Sequence, residues 1–298
     1  MKSGFIAIIG RPNAGKSTLL NTLLNDKIAI VSPKAQTTRN AILGILNDEN
    51  YQIVFIDTPG IHEAKTALGS FMNKEALSQV EGVDIIYYIV DGKKGLQDED
   101  VKTLDRLKSY DAPIFLLVNK IDDMDKTKLI KRLEYANNNY SFAEIIPISA
   151  LNKENIDELL ATSKQYLHDD VKYYPDDVKT NVNIDFQIAE MIREKIITNL
   201  EEEVPHLVAC LVDKIAEKTS KVFIDASIVC NKSTHKGIII GKNGAMLKKI
   251  NEQASSDIAR LFNNKKIILS LYVKVEEDWL NSQKQLFNLG YFTGDNNE

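Results

Sequence analysis

The chain has 298 residues, of which 44% are hydrophobic and 27% charged, and its net charge is −5. That length and balance suit about two globular domains with separate cores and exclude a chain disordered throughout. Its longest apolar runs, such as 83-VDIIYYIV-90, fall far short of the ~20 residues a helix needs to cross a bilayer, so no transmembrane helix is expected.

The first ten residues, 1-MKSGFIAIIG-10, run from one lysine through a short apolar segment straight into a glycine-rich loop. They read as a first strand and not as a signal peptide. From there to about residue 167, short apolar runs alternate with segments of helical period, the pattern of a parallel sheet covered by helices. Strands are predicted at 5–10, 41–46, 51–57, 83–91, 113–119 and 144–149, and helices at 16–24, 98–110, 126–138 and 154–167. The charged stretch 168-HDDVKYYPDDVKT-180 has no period and reads as an interdomain linker. Beyond it the order changes to a helix over 184–203, strands over 207–216 and 221–230, a helical turn before Gly241, a helix over 245–262 and a strand over 267–275. No internal repeat relates the halves, which argues against a second copy of the first domain. Cys210 and Cys230 lie in apolar runs, and the four histidines are scattered without ligand spacing. Free buried thiols are expected, and no cysteine- or histidine-built metal site.

Within the first half, 10-GRPNAGKS-17 meets the G-x-x-x-x-G-K-[ST] pattern with Gly10, Gly15, Lys16 and Ser17, after a strand and opening a helix. Such a loop turns backbone N–H groups and a helix N-terminus onto an anion. Lys16 is expected to reach the β- and γ-phosphates of a nucleotide and Ser17 to ligate Mg²⁺, with Asn13, Ala14 and Thr18 completing the cradle. After the third strand, 57-DTPG-60 supplies Asp57, a carboxylate able to hold Mg²⁺ through water, and Gly60, whose N–H can sense the γ-phosphate. After the fifth, 119-NKID-122 supplies Asp122, which can accept from two ring-side N–H donors that guanine has and adenine lacks. Facing adenine, that carboxylate would be unpaired at a cost. Asn119 and the stem of Lys120 are expected to shape the base slot, and backbone N–H groups of Ser149 and Ala150 to meet the guanine oxygen. All four sites fall at strand C-terminal ends, where open α/β sheets bind ligands. GTP and GDP are therefore expected over adenine nucleotides.

Between the first and second strands, 36-QTTRN-40 offers the remaining hydroxyl for Mg²⁺, Thr38 by preference with Thr37 as the alternative. The segment is expected to order around the γ-phosphate as a switch. Many GTPases place a water-orienting glutamine right after a DTPG-type motif, and here the residue is Ile61, which cannot orient water. Catalysis is then left to Lys16, Asn13, Thr38, Asp57 and Gly60 with the metal. A slow intrinsic rate is expected, unassisted GTPases running as slowly as ~10⁻⁴ s⁻¹. Arg11 and Arg39 read as surface phosphate contacts rather than arginine fingers. Asn13 is expected to hold K⁺ through its amide oxygen, so hydrolysis is predicted to be potassium-stimulated.

The second half carries another Gly-Lys loop, 237-GIIIGKNG-244. It fails as a phosphate loop, because three residues separate its first glycines and Asn243 stands where Mg²⁺ needs a hydroxyl. Read as G-x-x-G, Gly241, Lys242, Asn243 and Gly244 match the clamp with which KH domains grip a single-stranded backbone. The spacing alone is weak, since 92-GKKG-95 shares it, but that copy is followed by 98-DED-100, which would repel phosphate. The later copy sits between two helices of an α-β-β-α-α-β unit, the type II KH order. Residues 231–275 also hold nine basic side chains against two acidic, Lys236, Lys248 and Lys249 among them. An acidic chain thus carries a local basic patch suited to RNA phosphates.

GRPNAGKS, QTTR, DTPGI and NKID, joined to a type II KH order, resemble the Era family of bacterial GTPases over nearly the whole chain. The stretches 201-EEEVPH-206 and 273-VKVEEDW-279 are similar to further landmarks of that family. The resemblance implies an α/β P-loop NTPase G domain over 1–170, with a mostly parallel six-stranded sheet and helices on both faces. A linker over 171–182 and a smaller α+β type II KH domain over 183–298 follow. It also implies binding near the 3′ end of 16S ribosomal RNA and a switch role in 30S subunit assembly and 16S rRNA processing. A monomeric cytoplasmic protein, partly associated with the cytoplasmic face of the membrane, belongs to the same expectation. The residues leave one alternative open, a membrane-associated regulatory GTPase with a protein partner, because a KH surface for RNA reads like one reused for protein. Glu201–Glu203 and Glu276–Asp278 offset the basic patch, so RNA binding with a shallow salt dependence is expected.

Overall fold

The computed structural model describes residues 1–32, 34, 37–168 and 170–291. Gln36 of the expected switch, Asp169 of the expected linker and residues 292–298 lie outside the described residues. The chain divides into two compact units, Met1–Ala64 with Met72–Asn181, and Lys65–Phe71 with Val182–Glu298.

Through residue 163 the elements are β1 (Lys2–Gly10), α1 (Lys16–Leu24), β2 (Ile42–Asn47), β3 (Tyr51–Asp57), α2 (Ala67–Ser78), β4 (Ile85–Asp91), α3 (Asp98–Leu107), β5 (Ile114–Asn119), α4 (Lys126–Asn139), β6 (Glu144–Ile148) and α5 (Ile156–Ser163). The sheet order is β2-β3-β1-β4-β5-β6. All pairs are parallel except β2 with β3, which run antiparallel. Strand β1 is buried on both faces, as a central parallel strand must be. Ala7 and Ile9 join Tyr88, Leu116, Leu104 and Ala136 in one apolar cluster, which places α3 and α4 on that face. On the other face Tyr87 donates to or accepts from Ser163 Oγ at 2.6 Å, which brings α5 over β4.

Two differences from the sequence reading have local causes. Helix α2 is not among the predicted helices, because Gly69, Ser70 and Ser78 dilute both propensity and the apolar stripe. It is held by packing instead, with Met72 and Ala76 fully buried. The stretch expected as a linker is fixed to the first unit along its edge. Gln52 Oε1 accepts from the N–H of Tyr173 and Tyr174 at 2.8 and 2.9 Å, and Ile45 N–H donates to Lys179 O at 2.9 Å. The Tyr173 ring meets Phe5 edge-on at 4.8 Å. This segment therefore covers strand edge that would otherwise stay open.

The second unit contains α6 (Ile184–Asn199), β7 (Val208–Glu217), β8 (Lys221–Cys230), α7 (Ser233–Ile240), α8 (Ala245–Ile258), β9 (Lys266–Val275) and α9 (Gln283–Asn288). Its sheet runs β7-β8-β9, with β7 antiparallel and β9 parallel to β8. This is the predicted α-β-β-α-α-β order with α9 added. The core forms where Ile188, Ile192 and Ile196 of α6 and Ile250, Ala254 and Ile258 of α8 meet Val222, Ile224 and Ile228 of β8. Spacings of four on each helix meet even spacings on the strand, so each element offers one apolar face. Cys210 and Cys230 are free and buried. No helix among the described residues is long and apolar enough to cross a membrane.

Candidate nucleotide and nucleic-acid sites

The loop between β1 and α1 is shaped by positions that tolerate no side chain. Gly15 has φ 105°, and a Cβ there would stand 2.2 Å from Asn119 Nδ2. A Cβ on Gly60 would stand 2.7 Å from the backbone nitrogen of Pro12, so the segment after β3 lies directly against the loop. The resulting cleft of about 380 Å³ is lined by Asn13, Lys16, Thr18, Thr38, Gly60 and Lys120, among others.

At its floor three oxygens converge from three segments distant in sequence. Ser17 Oγ donates to Asp57 Oδ2 at 2.6 Å and lies 2.7 Å from Thr38 Oγ1, which donates to the same Oδ2 at 3.1 Å. Asp57 Oδ1 is buried without a hydrogen-bond partner among the described residues. Three hard oxygen donors and an orphaned carboxylate oxygen fit Mg²⁺, which favours oxygen ligands and carboxylates. Of the two candidate threonines, Thr38 brings its hydroxyl to this cluster, while Thr37 lines the cleft.

Lys16 is buried beside the cluster, its Nζ donating to the carbonyls of Gly10 and Arg11 at 3.1 and 3.0 Å. Burial pushes its ammonium down to about 8, with the charge of Asp57 pulling the other way. Burial likewise pushes the Asp57 carboxyl up, against the charge of Lys16 and the hydroxyls of Ser17 and Thr38. Both ions carry a desolvation cost that phosphate and a divalent cation would offset.

At the base end, Asn119 is a staple. Its Nδ2 donates to Ala14 O at 2.8 Å and its Oδ1 accepts the N–H of Ala150 at 3.0 Å. Ser149 Oγ donates to Asp122 Oδ1 at 2.5 Å, orienting that exposed carboxylate. Lys120, at φ 67°, donates to Asn13 O and to Asp91 Oδ2, both at 2.7 Å. By their place after β6, the backbone N–H groups of Ser149 and Ala150 are expected to meet the guanine oxygen. In the structure Ala150 N–H is held by Asn119, and Ser149 N–H donates to Glu154 O at 3.1 Å. Buried N–H groups take protein acceptors wherever these are in reach. Guanine would therefore gain the Ala150 donor only by exchange with Asn119.

Of the two arginines, only Arg39 departs from expectation. Arg11 pairs with Glu99 at 3.4 Å, and Arg39 is 3% exposed, so it is a buried group and not a surface phosphate contact. Ile61 packs against the apolar cluster of the first unit. Asp91 and Thr22, whose hydroxyl donates to Ala150 O at 2.7 Å, were missed by the sequence reading. The position of Asp91 at the C-terminal end of β4 is the signal that marks it.

In the second unit, Gly241 and Gly244 have φ 72° and 79°, and Asn243, at φ 52°, completes a turn that lifts Lys242 and Asn243 into solvent. A Cβ on Gly241 would meet Met246 Cβ at 2.7 Å. Beside the turn, a groove of about 450 Å³ is lined by Gly244, Leu247, Lys248, Asn251, Glu252 and Leu271. Leu247 and Asn251, not singled out from sequence, follow Gly244 at the spacing of one helical face. Part of the predicted basic patch is paired off, with Lys265 on Glu217 at 2.6 Å and Lys248 near Glu252 at 3.9 Å. Lys236, Lys242 and Lys249 are exposed and form no ion pair among the described residues.

Comparison with known proteins places these two sites together in one family. Residues 5–120 match the family model described as a 50S ribosome-binding GTPase, and residues 203–280 that of a KH domain. The chain is 45% identical to the GTPase Era of Clostridium kluyveri, covering 98% of this chain and 99% of that one. It is 46% identical to the GTPase Era of Clostridioides difficile, covering 97% and 98%. The crystal structure of an Era in complex with MgGDPNP and nucleotides 1506–1542 of 16S ribosomal RNA superposes with a TM-score of 0.95 at 36% identity, covering 98% of this chain and all of that one. An Aquifex aeolicus Era variant bound to GDP·AlF₄⁻ gives a TM-score of 0.95 at 35% identity, with the same coverage. With nearly full-length coverage on both sides and a G domain followed by a KH domain, the chain belongs to the Era family of GTPases.

Proposed function

We propose that this protein binds GTP with Mg²⁺, hydrolyses it slowly, and grips single-stranded RNA near the 3′ end of 16S ribosomal RNA as a switch in 30S subunit assembly. The observation that carries the nucleotide half is the convergence of Ser17, Thr38 and Asp57 beside the buried Lys16. For the RNA half, the glycine-turned Lys242–Asn243 tip and the related Era bound to 16S nucleotides support the reading.

In this reading the N–H groups of residues 13–18 and the α1 N-terminus cradle the phosphates. Lys16 exchanges the carbonyls of Gly10 and Arg11 for β- and γ-phosphate oxygens, where its charge stabilises the transition state. Ser17 and Thr38 present their hydroxyls, and Asp57 its carboxylate, to the metal. When bound, Mg²⁺ would supply neutralisation of the phosphate charge. Gly60 N–H reads the γ-phosphate, Asp122 reads guanine, and Thr38 and the rest of 36–40 respond to hydrolysis.

Because Ile61 is engaged with the apolar cluster, no side chain at that position orients the attacking water. Slow turnover follows, and Asn13, exposed in the cleft, is the group that holds K⁺ beside the phosphates. The test is GTP hydrolysis in K⁺ and in Na⁺, with and without an RNA matching the 16S 3′ end, for the protein and for a Lys242→Asp, Asn243→Asp variant. Faster turnover in K⁺, with RNA stimulation lost in the variant, is expected. Equal rates in both salts would remove the role of Asn13, and RNA indifference in both proteins would remove the coupling. Lys16→Ala should abolish turnover altogether.

A further inference from the structure

The loop 92-GKKG-95 shares its spacing with the KH clamp, and the acids that follow it argued against a phosphate contact. The structure turns two of those acids elsewhere. Asp100 is buried and accepts from Tyr88 OH and Gln97 N–H, both at 2.8 Å, while Glu99 faces Arg11 at 3.4 Å. The loop glycines serve packing. A Cβ on Gly92 would stand 2.3 Å from Met124 Sδ, and one on Gly95 would stand 2.9 Å from the Arg132 side chain. Arg132 therefore lies flat on the loop, its Nη2 donating to Lys93 O at 3.4 Å.

This brings Lys93 to the wall of a cleft of about 650 Å³ shared with Lys128, Lys131, Arg132 and Tyr135 of α4. Those four α4 residues follow the i, i+3, i+4, i+7 spacing of one face and are exposed, while Leu129, Leu133 and Ala136 turn to the core. The acids lining the cleft are engaged. Asp123 pairs with Lys93, and Asp125 caps α4 by accepting from Thr127 N–H at 3.0 Å and Lys128 N–H at 3.2 Å. Among the described residues Lys128 and Lys131 form no ion pair. Tyr135 is 50% exposed beside them. Cations that track a backbone next to an aromatic ring that can stack a base make up the chemistry of single-strand binding.

We infer that the face of α4, with the Lys93 loop, is a second contact for single-stranded RNA, carried by the GTPase unit. Lys128, Lys131 and Arg132 take phosphates and Tyr135 stacks a base. The contact adjoins the nucleotide slot through one carboxylate, since Asp91 Oδ1 accepts Lys93 N–H at 3.0 Å while Oδ2 holds Lys120. The inference rests on the RNA-binding reading above and adds a second footprint to it.

The test compares full-length Lys128→Glu, Lys131→Glu with the unaltered protein, using an unstructured RNA of about 40 nucleotides, well beyond the four that a KH clamp grips. Salt dependence of affinity is the readout, since each phosphate contact in a single strand contributes about 0.7 to the slope. A slope lower by roughly 1.4 and an affinity down roughly tenfold at low salt are expected, with GTP turnover in the absence of RNA unchanged. Lys128→Gln, Lys131→Gln should lower the slope without charge reversal, and Tyr135→Ala should weaken binding with the slope kept. Lys74→Glu, Lys108→Glu matches the charge change elsewhere on the surface, and an equal loss there would overturn the inference. Full affinity and slope in the α4 variants, with binding lost in Lys242→Asp, Asn243→Asp, would overturn this contact and leave the KH reading intact. No RNA binding by the unaltered protein would overturn both.

Discussion

Ser17 and Asp57, forty residues apart in sequence, are joined by a 2.6 Å hydrogen bond from the Ser17 hydroxyl to Asp57 Oδ2. Thr38 donates to the same oxygen, and Asp57 Oδ1 is left without a hydrogen-bond partner among the described residues. If this cluster holds Mg²⁺, Asp57→Asn removes the charge that draws the cation while keeping the shape. GTP affinity in Mg²⁺ should fall about ten- to hundredfold, the cost typical of disturbing a metal's ligand sphere. In excess EDTA the variant and the unaltered protein should bind nucleotide alike, and calorimetry in the two buffers measures the difference.

Gly15 is the position where the glycine-rich loop touches the segment that carries Asn119. With Asn119 Nδ2 2.2 Å from the site of a Cβ, and φ at 105°, Gly15→Ala forces both a clash and left-handed strain. Asn119 would have to release Ala14 or Ala150 to make room. Binding of a fluorescent GDP should be lost, while circular dichroism reports a retained fold with stability reduced by about 1–3 kcal/mol.

Asp122 presents an exposed carboxylate steered by Ser149. Guanine offers it two N–H donors, and Asp122→Asn replaces one acceptor by a donor. Affinity for GTP should fall at least about a hundredfold, since a site built to pair with a group discriminates strongly once that pairing fails. Xanthine nucleotide, which carries a carbonyl where guanine carries the amino group, should bind the variant better than GTP does. Competition with both nucleotides checks it.

In the second unit Arg193 is fully buried in α6 and forms a two-point pair with Glu190, its Nε donating to Oε1 at 2.7 Å. Burial pulls the guanidinium pKa down and the Glu190 carboxylate more than restores it. Glu190→Ala removes the two-point carboxylate partner of that buried charge and should cost about 3 kcal/mol, as breaking a buried pair does. Arg193→Met, which fills similar volume without a charge, should cost less. Urea midpoints of the two variants rank them.

The motifs of the nucleotide site were legible because each carries its chemistry in adjacent residues at the end of a strand. Lys16, Asp57 and Asp122 could be named from spacing, and the periods of two and of three to four separated strands from helices in both halves. The same period missed α2, where Gly69 and two serines leave a weak stripe and burial of Met72 and Ala76 supplies the missing stability. It also left 168–180 as a linker, because no period marks a segment that is held through its backbone by Gln52 and Ile45.

What the sequence by itself determined is the set of candidate groups, since residue type and local spacing limit which atoms could take phosphate, magnesium or guanine. Tertiary structure alone decided which of them meet. It chose Thr38 to join Ser17 and Asp57, turned Asn119 into a staple between Ala14 and Ala150, and buried Arg39. It also paired off Lys265 while leaving Lys128 and Lys131 exposed beside Tyr135. The physical reason is that hydrogen bonds and desolvation depend on distances of a few ångströms between segments far apart in the chain, and no local pattern encodes those distances.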